Sequence, residues 1–477
     1  MNRNEKENAY PGEITDNNIR QIFREAGDFN ARKVNCCGRP VYVYAIDGLV
    51  ASGFVSDYVV KPIVQSLTGD SMQVLYDRAL DGGIYNAVAS PCPDLNDVAL
   101  KLVNGFTVVL FPEVGAIAFE TRTPQMRNPG TPEVENTVKG PKDSFVETMR
   151  VNTSLVRRHL RSPDLRLYQA EVGRRSLTNV TVVWLEGVTN RQLVQRMKDR
   201  LKEIDIDGMV TPAAVEEYVN GSRATAFPML QYTERTDKFC QGILMGRVGL
   251  IVDGLPLAYL LPVDLGYLME SPEDRGKDYV LSSCVRILRY GALLLSLLLP
   301  GVYLAMITHH QDLLPLPLLH TILEGKKAVP FSSVAEVLGL LIAFELLQES
   351  GVHLPQAVGQ SVSIIGGIVV GSAAVEAKLI SSAALIAVSI AGICGFVLPN
   401  RDLADAVRVW RFFIAALAAV LGLTGVVAGT VLLIIHLVTL RSFGIPYLKM
   451  HTPIRRRLKY QKNRDAALKP EDRQNQK

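Results

Sequence analysis

The distribution of apolar residues along the chain constrains its fold more than any other feature. From Met1 to about Arg289 the sequence is mixed and charged, whereas from Tyr290 to Phe443 it is dominated by Leu, Ile, Val, Ala and Gly. About 20 consecutive apolar residues suffice to cross the roughly 30 Å hydrocarbon core of a bilayer as a helix. The 477 residues therefore predict a globular region, then a membrane region and then a short basic tail.

Four apolar segments of the second region are long enough to be membrane spans. They are residues 287–308, 356–375, 379–398 and 410–437. Basic residues precede the first span and follow the last, and the excess of Lys and Arg marks the cytoplasmic side. Both ends are then cytoplasmic, which demands an even number of spans. Residues 313–349 are accordingly predicted not to cross fully, and to form a re-entrant or interfacial helix on the outer side.

The globular region contains two similar halves. VYVYAIDGLV (41–50) and TVVWLEGVTN (181–190) are both β-branched and aromatic runs that end in an acidic residue and Gly, as strands followed by turns do. Each is followed at a nearly equal distance by a second pair of strands, in 105–122 and in 246–263. The pattern predicts an α+β region of two tandem, similar α/β subdomains, although strand–turn pairs also resemble one another by chance.

These observations divide the chain into six parts, with an all-α polytopic membrane domain following the α+β region. They are a polar N-terminal extension (1–33), subdomain 1 (34–125), a Pro- and Gly-rich linker (126–145), subdomain 2 (146–285), the membrane domain (286–443) and a basic C-terminal tail (444–477). The polar N-terminus lacks the apolar core of a signal peptide, so the α+β region is predicted to be cytoplasmic.

The sequence carries no recognisable catalytic pattern. It has no phosphate-binding loop, no HExxH and no GxSxG, and its six cysteines lack metal-ligand spacing. We therefore expect no enzyme activity, no cofactor and no bound metal. The formal net charge of +4 gives no indication of a nucleic-acid partner.

The predicted span 356–375 has one face of polar and small residues. This face consists of Gln356, Gln360, Ser363, Gly367, Gly371 and Ala374. Such a face either packs closely against neighbouring helices or lines water, so these six residues are candidates for the lining of a pore. In the last span, Gly425 and Gly429 form a GxxxG pair that predicts close helix packing.

Two carboxylates interrupt the apolar run PFSSVAEVLGLLIAFELLQESGVHLP (330–355). Glu336 and Glu345 fall on opposite sides of a helix, and a charge at the centre of a bilayer costs at least about 2.5–3.5 kcal/mol on insertion scales. These carboxylates either gather cations at the mouth of a path or form salt bridges with Lys326, Lys327 or a neighbour. Both interpretations stay open at the level of sequence.

Several blocks, taken in order, resemble one family. They are KGPKDSFVETMRVNTSLVRRHLRSPDLR (139–166), YTERTDK (232–238), the run from Val329 to Ser381, and RSFGIPYL (441–448). Together they are similar to the A subunits of GerA-type spore germination receptors, including the SpoVAF-like paralogues. The chain departs from the family at Thr236, where the family usually has Pro.

The resemblance implies a multi-pass protein of the spore inner membrane. It implies a homo-oligomer, acting with a transporter-like B subunit and a lipoprotein C subunit, that forms a nutrient-gated path for monovalent cations. The alternative is a non-conducting scaffold that anchors the sensor and lipoprotein subunits in the membrane.

Overall fold

The computed structural model describes residues 10–122, 130, 132, 135, 137, 139–209, 211–220, 225–353, 371 and 373–448. Two compact units divide the chain. The N-terminal unit comprises Met1–Arg223 and Leu230–Pro262, and the helical unit comprises Ala224–Met229 and Val263–Lys477.

The N-terminal unit contains two five-stranded antiparallel sheets. The strands of the first sheet are β1 (Phe29–Cys36), β2 (Arg39–Ile46), β3 (Ala89–Cys92), β4 (Phe106–Phe111) and β5 (Gly115–Glu120), in the order β1-β2-β4-β5-β3. Those of the second are β6 (Leu165–Val172), β7 (Thr178–Leu185), β8 (Gln231–Thr233), β9 (Val248–Val252) and β10 (Ala258–Leu261), in the order β6-β7-β9-β10-β8. The two sheets thus repeat one topology, with a hairpin, an outer strand and a second hairpin in each.

Matched glycines mark the equivalent turns of the two sheets. Gly48 and Gly187, which follow β2 and β7, have φ angles of 81° and 79°. Gly105 and Gly246, which precede β4 and β9, have φ angles of 82° and 85°. Side chains with a Cβ rarely adopt this left-handed conformation, so the acidic-Gly pairs of the sequence are turns that need glycine for their backbone geometry.

Nine α-helices of the N-terminal unit lie within the described residues. They are α1 (Asp16–Ile22), α2 (Ser52–Val55), α3 (Lys61–Gln65), α4 (Met72–Arg78), α5 (Leu95–Val103), α6 (Met149–His159), α7 (Arg191–Glu203), α8 (Pro212–Asn220) and α9 (Thr236–Leu244). Helices cover both faces of the first sheet. Successive strand residues point to opposite sides of a sheet, and here each side packs against different helices. Val108 packs with residues of α1 and α5, and its neighbour Val109 packs with residues of α3 and α4.

The folded N-terminal unit begins earlier than the sequence predicts. Helix α1 and the first residues of β1 fall inside the predicted extension 1–33, and Ile19 and Ile22 of α1 are buried in the core. Two apolar residues in a polar stretch are enough to anchor a short helix, but they are too few for a composition argument to detect. The predicted linker 126–145 lies largely outside the described residues.

Helix α6 carries several basic residues, and two of them pair with carboxylates of the same chain. Arg157 lies fully inside the N-terminal unit, where its guanidinium donates to both oxygens of Asp28 at 2.7 and 2.8 Å. Arg150, two turns earlier on the same helix, forms an exposed ion pair with Asp47 at 2.6 Å. The helix is therefore tied through both residues to the first half of the N-terminal unit.

The helical unit follows β10. Its described helices are α10 (Leu265–Leu268), α11 (Tyr279–Thr308), α12 (Leu316–Lys326), α13 (Ser333–His353), α14 (Ala374–Glu376), α15 (Ser382–Phe396), α16 (Arg401–Leu421) and α17 (Leu423–Thr439), and a short hairpin of β11 (Arg441–Ser442) and β12 (Ile445–Pro446) follows them. Among the described residues, one helix, α11, is long and apolar enough to cross a membrane, with a mean hydropathy of 2.0, and α15 and α17 are shorter apolar helices.

The structure corrects the predicted span 410–437. This segment is divided between α16 and α17 at Gly422, which has φ 64° and ψ −141°. The two arms fold back on each other, because Gly425 lies against the carbonyl of Leu417 and Gly429 lies against Ile414. A hydropathy profile detects composition and not direction, so two antiparallel apolar arms are taken for one long span.

Two of the other predicted spans coincide with described helices. Residues 287–308 lie inside α11, and 379–398 contain α15. Most of 356–375 lies outside the described residues. The predicted re-entrant segment 313–349 contains α12 and most of the 21-residue helix α13, whose Val337 and Leu341 are buried against α11 and α15.

Candidate functional site: buried charges between apolar helices

A carboxylate and two guanidinium groups meet between α13 and α16. Glu345 of α13 accepts from Arg408 Nη1 at 2.6 Å through Oε2, and from Arg411 Nη2 at 3.0 Å through Oε1. Arg408 and Arg411 are three residues apart and so project from neighbouring positions of α16. We call these three residues the Glu345 cluster. It joins two helices through residues that are 63 and 66 positions apart in the chain.

Further polar groups complete the Glu345 cluster. Arg408 also donates to Gln348 Oε1 at 2.6 Å and pairs with Asp405, one turn earlier on its own helix. Two carboxylates thus face two guanidiniums, which leaves the group electrically balanced. Charges in a low-dielectric interior are tolerated when they are paired and hydrogen-bonded in this way.

Arg411 is the most buried member of the cluster. Its side chain is 3% exposed, whereas that of Glu345 is 27% exposed. The Nε of Arg411 has no hydrogen-bond partner among the described residues. The charge of Arg411 therefore depends on Glu345 more than the charge of Arg408 does, since Arg408 has Asp405 as a second anionic partner.

Glu336, the other carboxylate of α13, lies elsewhere. Its side chain is 3% exposed, and its Oε1 accepts from the backbone N–H of Ser381, the N-cap residue of α15. Within the described part of the chain no Lys, Arg or His pairs with Glu336. The structure therefore separates the two carboxylates, which the sequence placed on opposite sides of one helix.

Glu345 has other partners than the two lysines that the sequence offered. Arg408 and Arg411 pair with Glu345, and Lys326 and Lys327 do not. A Cβ on Gly425 would lie 2.2 Å from the Leu417 carbonyl oxygen, and one on Gly429 would lie 2.9 Å from the Ile414 side chain. Both glycines therefore sit where α16 and α17 approach most closely.

The predicted pore face is described only at one end. Gln356, Gln360, Ser363 and Gly367 lie outside the described residues. A Cβ on Gly371 would lie 3.7 Å from Leu385 of α15, and the half-buried Ala374 begins α14.

Sequence reasoning missed both arginines of the Glu345 cluster. The predicted span began at residue 410, so Arg408 was placed outside it and Arg411 at its edge. The stretch DAVRVWR (405–411) carries an available signal, because Asp405, Arg408 and Arg411 recur at steps of three on one side of a helix.

A second polar group lies in the N-terminal unit at the position where the chain departs from the resembled block. Asp143 Oδ2 is 2.6 Å from both the Thr236 hydroxyl and His159 Nε2. The hydrogen bond from His159 lowers the pKa of Asp143 to about 2, and the same bond raises the pKa of His159.

This group does not form a catalytic relay. In a nucleophilic triad the hydroxyl donates to one ring nitrogen of His and the carboxylate accepts from the other. Here Thr236 and the same ring nitrogen of His159 both converge on one carboxylate oxygen. Thr236 is thereby held by the carboxylate and is not activated by the imidazole.

Comparison with known proteins assigns the chain to a family. The sequence profile described as "Bacillus/Clostridium GerA spore germination protein" matches residues 17–473. The chain has a globular α+β unit with two sheets of one topology. It also has a unit of apolar helices that bury paired charges, as membrane proteins do. The chain belongs to the GerA spore germination family, which confirms the resemblance drawn from its sequence blocks.

Individual relatives agree with the family assignment. Spore germination protein KA of Bacillus subtilis is 31% identical over 415 residues, which cover 86% of this chain and 76% of that protein. Spore germination protein B1 of the same organism is 30% identical over 84% of this chain and 83% of its own. The membrane protein YfkQ, also of Bacillus subtilis, is 34% identical over 88% and 81%, respectively.

A solved structure also matches the chain. It is the N-terminal domain of the A subunit of the Bacillus megaterium spore germinant receptor GerK3. It is 23% identical and covers 51% of this chain and 91% of its own, with a TM-score of 0.40.

Proposed function

We propose that the chain is the membrane subunit of a nutrient-responsive spore germination receptor, and that its copies form a gated path for monovalent cations. In this proposal it sits in the spore inner membrane with both termini cytoplasmic. It acts there with a transporter-like B subunit and a lipoprotein C subunit. Family membership supports the germination role, and the Glu345 cluster supports the gated path.

The Glu345 cluster is the observation that carries the proposal. Ionisable residues among apolar membrane helices are rare because they are costly, and they commonly mark ion pathways and gating elements. Since Arg408 and Arg411 already neutralise Glu345, this carboxylate is suited to holding α13 against α16 and not to attracting cations. We assign it to a closed state in which the cluster fixes the two helices together.

Glu336 is better suited to meet a cation. It is buried and carries no cationic partner among the described residues, and an isolated buried charge is unfavourable unless it is neutralised or paired. A passing monovalent cation would supply that neutralisation. We assign Glu336 to the path, whose lining is predicted from the sequence to be Gln356, Gln360, Ser363, Gly367, Gly371 and Ala374.

The hairpin at Gly422 changes the proposed topology. If α16 and α17 both cross the membrane, then α11, the predicted span 356–375 and α15 bring the number of crossings to five. An even number is needed to keep both ends cytoplasmic, and α13 supplies the sixth, since its 21 residues span about 32 Å at 1.5 Å each. The parity that argued against a crossing at 313–349 now favours one.

Reconstitution of the receptor subunits into K⁺-loaded liposomes tests the proposal. We expect nutrient-dependent K⁺ efflux that falls at least tenfold with Glu336→Gln, and efflux without nutrient in Glu345→Gln. Glu324→Gln, on the exposed face of α12, serves as the matched control and should conduct as the wild type does. Normal assembly with wild-type efflux in both variants would contradict the assigned roles. A complex that assembles with this chain but never releases K⁺ would favour the alternative function, a non-conducting scaffold.

A further inference from the structure

A single buried hydroxyl joins two separate segments of the chain at the end of α17. Ser442, in β11, is fully buried. Its Oγ accepts from the backbone N–H of Val263 at 3.0 Å and donates to the carbonyl of Met229 at 2.6 Å. Both hydrogen-bonding capacities of the hydroxyl are therefore used, and both partners are main-chain groups.

The two partners are the residues at which the chain leaves one unit for the other. Met229 ends the short stretch of the helical unit that interrupts the N-terminal unit, and Leu230 follows it into β8. Val263 is the first residue of the helical unit after β10. Strands β8 and β10 are neighbours in one sheet, with Gln231 opposite Leu260. Ser442 thus fixes the continuations of two paired strands.

The interrupting stretch is held to α17 at a second point. Thr225 Oγ1 lies 3.0 Å from Nε2 of His436, which is in the last turn of α17. Phe227 and Met229 are buried in the same apolar cluster as Leu433 and Leu437. A displacement of the end of α17 must therefore either carry the stretch 225–229 with it or break these contacts.

We propose that Ser442 is a positioning residue that passes movement between the end of α17 and strands β8 and β10. The inference rests on the proposed function. In that function, Ser442 supplies a route by which the N-terminal unit and the gating helices α13 and α16 influence one another. Without the hydroxyl, the Met229 carbonyl and the Val263 amide lose their partner inside the protein, and buried main-chain groups are seldom left unpaired.

The test compares Ser442→Ala with Ser442→Thr, which keeps a hydroxyl, and with Ser296→Ala as the matched control. Ser296 is also fully buried, and its hydroxyl has no hydrogen-bond partner among the described residues. Two readouts are taken on the full chain. The first is amide hydrogen exchange of Val263 and of β8 and β10 in the protein held in lipid nanodiscs. The second is the nutrient concentration for half-maximal germination of spores that contain normal amounts of the variant.

For Ser442→Ala we expect exchange at these amides to rise at least tenfold, and the half-maximal nutrient concentration to change at least fivefold. Ser442→Thr should lie within about threefold of the wild type, and Ser296→Ala should match it. Faster exchange with an unchanged nutrient response would leave Ser442 a purely structural residue and overturn the proposal. Unchanged exchange would overturn it as well.

A folding defect is separated from a coupling defect by a milder variant. Should Ser442→Ala fail to accumulate, Thr225→Val leaves Ser442 in place and removes the hydrogen bonds of the Thr225 hydroxyl to His436 and to the backbone N–H of Phe227. The same two readouts should then shift in the same direction by a smaller factor. Wild-type behaviour of Thr225→Val would then count against the proposal. The exchange experiment requires no conduction, so a receptor that never passes K⁺ would refute the proposed path without deciding the role of Ser442.

Discussion

Arg157 of α6 donates two hydrogen bonds to the carboxylate of Asp28, at 2.7 and 2.8 Å, with the two side chains 0% and 4% exposed. The two residues are 129 positions apart and belong to the two halves of the N-terminal unit. A fully buried, bidentate ion pair of this kind fixes the relative orientation of the two segments to which its side chains belong. It therefore fixes α6 against the segment that leads into β1.

Removing one partner of this pair should destabilise the protein strongly. Asp28→Ala leaves the guanidinium of Arg157 buried without an anion, and breaking a buried pair typically costs about 3–5 kcal/mol. We expect a loss of that size in the free energy of unfolding, measured by denaturant titration of the full chain in detergent with Trp fluorescence as the signal.

An exposed pair on the same helix provides the comparison. Arg150 and Asp47 are 2.6 Å apart but 51% and 40% exposed, and solvent-exposed pairs contribute about 0–1 kcal/mol. Asp47→Ala should therefore lower the free energy of unfolding by less than about 1 kcal/mol. Equal losses in the two variants would show that burial does not decide the strength of these pairs.

The pair of His159 and Asp143 predicts a pH dependence. Because the pKa of His159 is raised in the folded protein, its contribution is complete below the unfolded value of about 6.5. It is lost as the pH rises through the folded value. Because the pKa of Asp143 is lowered to about 2, its contribution is present above about 3.9 and is lost as the pH falls toward 2. Between about pH 3.9 and 6.5 the pair therefore contributes its full stabilisation.

His159→Gln should therefore lower the melting temperature most between about pH 4 and 6.5, and the difference from the wild type should narrow at higher pH. Thermal unfolding of both proteins from about pH 4 to well above 6.5, monitored by circular dichroism, measures the difference. A constant difference at every pH would mean that the imidazole contributes through packing and not through its charge.

The sequence predicts the strands of the N-terminal unit because local chemistry determines them. The β-branched runs 41–50 and 181–190 contain most of β2 and β7, and the glycines at their ends adopt the left-handed turns. The long apolar helix α11 contains the predicted segment 287–308 for a similar reason, since a continuous apolar run is a local property.

The arrangement of the helical unit is not predictable in the same way. Gly422 reverses the chain within LGLTG, yet the residues on both sides are apolar and a hydropathy profile passes over the turn. The partners of Glu345 were missed because Arg408 and Arg411 come to it through tertiary packing. Local spacing indicates that they share a side of α16, but it does not indicate which helix they face.

Glu345→Gln should destabilise the helical unit. The substitution leaves Arg411 buried without its anion, and the partial exposure of Glu345 places the expected loss near the lower end of the range for buried pairs, about 3 kcal/mol. Thermal unfolding of the detergent-solubilised chain measures the loss. Additional replacement of Arg411 by Gln should cost less than the sum of the single changes, because the stranded charge is gone. Strictly additive losses would contradict a direct interaction.

Substitution of Gly425 tests the close packing of the α16–α17 hairpin. A Cβ at this position would lie 2.2 Å from the Leu417 carbonyl oxygen, so Gly425→Ala must push the two arms apart, at a cost of typically about 1–3 kcal/mol. Gly291→Ala in α11 is the matched control, because a Cβ there meets nothing within 4 Å. That change should be neutral or stabilise the helix by up to about 1 kcal/mol, since Ala favours helix more than Gly does. The same thermal unfolding measurement applied to both variants should therefore give shifts of opposite sign or of clearly different size, and equal destabilisation would refute the tight contact at Gly425.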